Sequence, residues 1–137
     1  MTTPNVQVVH DLYDAMKRGD LPAIFAQFAP NAKVIEPASL PYGGEFHGLA
    51  GLQQLFEQVF TVWEEFDATP TQILGEGDTV IALVSVRGKL RGVERPISTL
   101  VAEYWELRDG KVTLCQPFYA DPALIAKLWA EREGVAA

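Results

Sequence analysis

One cysteine and two histidines in 137 residues leave little for metal or disulfide chemistry. Cys115 has no partner for an internal disulfide and carries no local nucleophile signature, so a buried, inert thiol is expected. His10 and His47 are far apart in sequence and lack the Cys or His spacing of a metal site, so neither a metal nor a cofactor is expected. Positive charge is also scarce. Eleven Lys and Arg against eighteen Asp and Glu give a net charge of -7, a field that repels phosphate backbones and anionic lipid surfaces; nucleic acid and membrane are therefore poor partners. No apolar run approaches the ~20 residues of a membrane span, and Met1-Thr-Thr-Pro lacks the basic segment and apolar core of a secretory signal, so a soluble, cytoplasmic protein is expected. Gly43-Gly44 is a turn device, since no helix with phosphate-loop glycine spacing follows.

What is present is ordinary globular material, 48% hydrophobic and 21% charged, in a length suited to one domain. Thr3-Pro4 reads as a helix cap and first position, followed by Val6, Val9, Leu12, Tyr13 and Met16 at helical spacing and by Gly19 as the stop. Asp20 caps a second short helix carrying Leu21, Ile24, Phe25 and Phe28, which Pro30 closes. Lys33 to Glu36 reads as a strand, and the proline- and glycine-punctuated Pro37 to Gly44 as a loop at a pocket mouth. From Leu49 the stripe Leu52, Leu55, Phe56, Val59, Phe60, Trp63 and Phe66 predicts the main covering helix. The period then changes. Thr71 to Leu74, Thr79 to Leu90, Ile97 to Leu107 and Val112 to Tyr119 read as antiparallel strands, the last pair joined by the hairpin signal Asp109-Gly110. Arg87, Lys89, Arg91 and Arg95 read as a solvated basic edge. Asp121-Pro122 opens a closing helix with Leu124, Ile125, Leu128 and Trp129 inward. The expected class is α+β, with helices gathered on one face of a sheet whose long strands bend and leave a concavity.

This order of elements, with the phrases Gly19-Asp20-Leu21, Phe28-Ala29-Pro30-Asn31-Ala32, Glu36-Pro37, Leu40-Pro41-Tyr42-Gly43-Gly44 and Leu107-Arg108-Asp109-Gly110-Lys111-Val112, resembles the nuclear-transport-factor-2-like superfamily, in its SnoaL-like and ketosteroid-isomerase-like branch. The resemblance runs from about Val6 to Leu128 and implies one SnoaL-like domain over residues 1–137 with a core at about 6–130. It implies a cone-shaped, strongly bent sheet, antiparallel or mixed and wrapped by three to four helices, the cystatin-like α+β barrel, dimerised through the sheet's outer face. For activity it is weakly specific, because this scaffold hosts isomerases, polyketide cyclases, dehydratases and noncatalytic binders.

The resemblance also implies site residues. Matching the Asp-Gly-Lys turn puts Val101, Glu103 and Trp105 on the pocket side of their strand, with Leu100, Ala102 and Tyr104 outside. Glu103 then stands where ketosteroid isomerases hold a protonated acid, and Glu36 where they hold the proton-shuttling base. In those isomerases the two acids differ because one is kept neutral by an apolar site while the other stays free to take up a proton. The isomerases' helix-1 tyrosine aligns with Leu12, and Tyr13 is expected to point ~100° away; Tyr119 or Tyr42 is left to fill the role. The epoxide hydrolase branch needs an arginine where Val101 stands. Asp121 is either the acid of polyketide cyclase relatives or a helix cap. Leu12, Tyr42, Val59, Trp63, Val101, Trp105, Tyr119 and Asp121 are expected to contact the ligand, and some of the aromatic group Trp63, Trp105, Phe118, Tyr119 and Tyr42 to line the cavity. The resemblance implies a small hydrophobic ligand held either by an isomerase-, cyclase- or dehydratase-type enzyme or by a noncatalytic binding or dimeric interaction domain.

Overall fold

The computed structural model describes the backbone of residues 3–136 and the side chains of residues 3–132. The N-terminal helix α1 spans Pro4–Arg18, with the Thr3 hydroxyl accepting from the Val6 amide at 3.1 Å and Gly19 ending it in the left-handed conformation at φ 67°. Asp20 caps α2, Leu21–Ala26, through a carboxylate oxygen 3.2 Å from the Ala23 amide.

The chain then extends sooner than periodicity suggests. Strand β1 is Phe28–Glu36, so Phe28 and Pro30 belong to a strand and not to the end of α2. Pro30 is tolerated because it falls within a register irregularity between Phe28 and Lys33, where no regular ladder bond is lost. A short strand β2, Gly44–His47, follows the loop in residues to which the sequence pattern alone assigns no element. Helix α3, Gly48–Val62, carries Leu52 and Leu55 inward.

Trp63 and Phe66 extend the helical stripe in sequence only. The chain turns directly into β3, Trp63–Glu76, because Arg91 draws the helix end closed: its guanidinium donates to the carbonyls of Phe60, Thr61 and Trp63 at 2.9 to 3.2 Å. Arg91 is thus a C-terminal cap that stays exposed, and it follows β4, an interior strand, and not the sheet's edge. Strands β4, Thr79–Leu90, β5, Ile97–Arg108, and β6, Lys111–Tyr119, complete the sheet, and α4 spans Pro122–Ala136. Asp109 and Gly110 both take positive φ, 52° and 76°, as the tight hairpin between β5 and β6 requires.

The sheet has six strands in the order β2-β1-β6-β5-β4-β3. Neighbours are antiparallel except β1 and β6, which run parallel and join the N-terminal hairpin to the meander. The four strands after α3 are antiparallel throughout, as expected, and the parallel pair β1 and β6 makes the whole sheet mixed. Val80, Ala82, Val84 and Val86 of β4 are almost fully buried on the helix-covered face. Ile81 of the same strand is 43% exposed, which is the alternation of a sheet with one covered face. Among the described residues no helix is long and apolar enough to cross a membrane.

Candidate functional site

Between the sheet's covered face and helices α1 and α3 lies a cavity of about 110 Å³. Register brings two acids to it. Val34 of β1 pairs with Cys115 of β6, and Glu103 of β5 pairs with Pro117, two residues further along β6. Glu36 is also two residues beyond Val34, so it lies beside the same row, across β6 from Glu103. Two strand spacings put their backbones roughly 10 Å apart, close enough for both side chains to face one hollow. Both line the cavity.

The two acids have different surroundings. Glu36 is 8% exposed, and its Oε1 is buried without a hydrogen-bond partner. Burial first, and the charge of Glu103 second, push its pKa up to about 8. Glu103 is also raised by burial, but the Tyr13 hydroxyl donates a short hydrogen bond to its Oε1, which partly offsets that rise. Burial and then the Glu103 charge hold the Tyr13 phenol far above its ordinary range, so Tyr13 acts only as a donor. The Tyr13 ring meets Trp105 edge-on, with centroids 6.0 Å apart. The Trp105 indole N–H is buried without a well-formed hydrogen bond, yet lies near enough to Tyr13 to favour its ionised form slightly.

Helix α1 therefore supplies a tyrosine after all. Leu12 is fully buried and does not line the cavity, whereas Tyr13 does. The ~100° between neighbours on a helix separates them as expected, but it turns Leu12 into the packed core and Tyr13 into the hollow.

The Pro37–Gly44 segment adds Tyr42 to the cavity wall. It folds back tightly, with the Leu40 amide bonded to the Pro37 carbonyl at 3.1 Å and the Gly43 amide to Leu40 at 2.9 Å. A Cβ on Gly43 would come within 2.3 Å of the Pro37 carbonyl oxygen, so only glycine closes this turn. Leu40 and Tyr42 are 4% and 1% exposed, so the segment plugs the core and is not an open mouth. The Tyr42 hydroxyl lies 2.9 Å from that of Tyr119 and accepts from the Trp63 indole at 3.1 Å. Burial holds the pKa of both tyrosines above the ordinary value. Trp63 reaches the site through this bond and does not itself face the cavity.

Val59, Val101 and Cys115 also line the wall, which carries no Lys, Arg or His side chain. Burial, and then the nearby Glu103 and Glu36, hold the Cys115 thiol well above its usual range, so it is not a nucleophile. Asp121 is exposed and caps α4, its Oδ1 accepting from the Leu124 amide at 3.2 Å. It does not reach the cavity, and Phe118, 54% exposed, points to the opposite side of the sheet. Among the described residues no group of three or more His, Cys, Asp or Glu is placed to hold a metal ion.

A mixed sheet wrapped by helices around an acid- and tyrosine-lined hollow defines a nuclear-transport-factor-2-like, α+β fold. The chain belongs to the SnoaL-like domain family, whose sequence profile matches residues 9–115. A protein from Burkholderia pseudomallei K96243, described as NTF2-like and of unknown function, is 25% identical at a TM-score of 0.86, with 93% of this chain and 98% of that chain covered. TerC, co-crystallized with polyporic acid, is 23% identical at a TM-score of 0.82, over 93% of this chain and 99% of that one. A hypothetical protein with a ketosteroid isomerase-like fold from Catenulispora acidiphila DSM 44928, in complex with trimethylamine, is 20% identical at a TM-score of 0.69, over 87% of each chain. No curated protein matches the chain.

Proposed function

We propose that this SnoaL-like protein binds a small apolar carbonyl compound in the cavity and moves a proton on it, with Glu36 as base, Glu103 as hydrogen-bond donor to the oxygen and Tyr13 holding Glu103. The observation that carries this reading is the buried, unpartnered Glu36 Oε1 facing the same hollow as the Tyr13–Glu103 pair. Fold neighbours in complex with polyporic acid and trimethylamine support a ligand-holding role for such a cavity.

The chemistry is a balanced proton shuttle. The ionised Glu36 carboxylate takes a proton from the carbon next to the carbonyl, and the electron pair of that C–H bond moves to the oxygen as an enolate. Glu103, in the form that carries the remaining proton of the two acids, directs its O–H toward that oxygen while Tyr13 donates to Glu103 Oε1 and holds it in place, so charge develops where a donor already stands. Glu36 then returns the proton to the same carbon, or to another carbon of an extended enolate, which is isomerisation. Since Glu36 titrates near 8, only about a tenth of it is ionised at pH 7, and the rate rises as pH approaches 8.

The test is deuterium exchange at the α-carbons of 2-butanone in D₂O, followed by proton NMR. Exchange faster than in buffer, with the stated pH profile and a loss of at least ~100-fold in Glu36→Gln, is the expected result. Binding without exchange would favour the noncatalytic module. That second reading has its own support, because Tyr13 already satisfies Glu103 in the absence of any ligand.

For assembly, a homodimer through the outer sheet face is the proposed state. Leu74, Ile81, Leu100 and Phe118 are 43 to 56% exposed, and the register Leu74, Ile81, Tyr104 aligns several outward side chains across β3, β4 and β5. Leu100→Lys should yield a monomer by analytical ultracentrifugation; an unchanged mass would remove this face as the interface.

A further inference from the structure

The inner cavity of about 110 Å³ is smaller than the roughly 150 Å³ hollow that holds benzene in a well-studied case, so it receives the reacting end of a ligand and little more. A second hollow of about 180 Å³ lies against it, walled by the last turn of α1, α2, α3 and the start of β3. Met16, Phe56, Val59, Phe66 and Ala68 face both hollows. Met16 is half-buried and unbranched, a side chain that changes shape without moving backbone.

The outer hollow is apolar where it meets the inner one. Leu21 and Ile24 form part of its wall, and its remaining large ring, Phe60, is 52% exposed, as Phe66 is 40%. Rings left in water around a concavity mark a surface that something apolar covers. The charged groups there, Lys17 and Asp67, are paired with each other at 2.8 Å and make no demand for a charged ligand.

We propose that the two hollows form one bipartite ligand site, with the inner chamber taking the carbonyl head and the outer trough taking an uncharged apolar tail that passes Met16. The substrate class is then a ketone or enone with a tail of several carbons. The head assignment rests on the proton-transfer reading above; the trough does not.

The experiment is isothermal titration calorimetry of the intact protein with 2-butanone, 2-heptanone and 2-decanone, alongside their α-proton exchange. Affinity should rise by about fourfold for each added methylene beyond the length that fills the inner chamber. Phe60→Ala, at an exposed ring whose backbone carbonyl still serves Arg91, should lower the ratio of 2-decanone to 2-butanone affinity at least fivefold. As a second variant, Leu21→Trp fills the trough and should abolish the gain with length. Affinity that levels off or falls after 2-butanone, with the same ratio in Phe60→Ala, would overturn the trough while leaving any exchange of 2-butanone intact. A steep length dependence without exchange would keep the trough and overturn the catalytic reading instead. Failure of every ketone to bind would overturn both.

Discussion

Glu36 and Glu103 occupy one hollow, yet the end of β1 and the middle of β5 treat a carboxyl group in different ways. At β5 the acid is given a donor from α1, and its neutralisation by burial is partly reversed. At β1 the acid ends its strand beside a segment that plugs the core with Leu40 and Tyr42, whose hydroxyl is taken up by Trp63 and Tyr119, and Glu36 Oε1 is left with nothing. A buried oxygen without a partner costs free energy that folding alone does not recover. The contrast is the physical basis for giving the two acids different roles: one is held in place, the other is free to exchange its proton with whatever enters.

The largest expected effect falls on Glu36 and stability. In the folded protein it holds its proton to about pH 8, against an ordinary value of 4.5, so the stabilisation present at low pH is lost as pH rises from about 4.5 through 8. Glu36→Gln removes that dependence. Urea unfolding should find the variant equal to the parent at pH 4 and more stable by on the order of 5 kcal/mol at pH 9. Equal stabilities at both pH values would mean the Glu36 carboxyl is solvated.

Next comes the partner of the other acid. Tyr13→Phe removes the donor and leaves Glu103 unsatisfied, at a cost of about 1–3 kcal/mol. It should also move the Glu103 titration upward, because the lost hydrogen bond is what lowers it. A Glu103 midpoint that stays put would break the comparison from its other side. The smallest effect belongs to an acid outside the hollow. Asp121→Ala removes a helix cap worth about 1 kcal/mol and should leave ketone binding and exchange unchanged.

Much of this was legible in residues whose signal is local. Thr3-Pro4, Asp20 and Asp109-Gly110 mark their turns by chemistry that acts within a few residues, and β4 lies at Thr79–Leu90 as its alternation suggests. What was not legible depends on distant partners. Trp63 and Phe66 continue a helical stripe by coincidence, and only Arg91, reaching across from the far end of β4, shows why α3 stops at Val62. Phe28 and Pro30 look like a helix end, but Phe28 pairs with Val112 of β6 and starts β1 there, with Pro30 in the irregular stretch that follows. Within the site, parity alone puts Glu103 and Trp105 on one face of β5, which the burial of Val101, Trp105 and Leu107 matches. Leu12 and Tyr13 were harder to separate, because both fall within the broad apolar stripe of α1. Which of the two meets the cavity is decided by the position of β5 and not by the helix.

The most direct measurement is a pH titration of the Glu36 side-chain carbon by carbon-13 NMR in the ligand-free protein. A midpoint near 8, falling when Glu103→Gln removes the neighbouring charge, is what a dry hollow shared by two acids predicts. A midpoint near 4.5 that ignores Glu103 would contradict it.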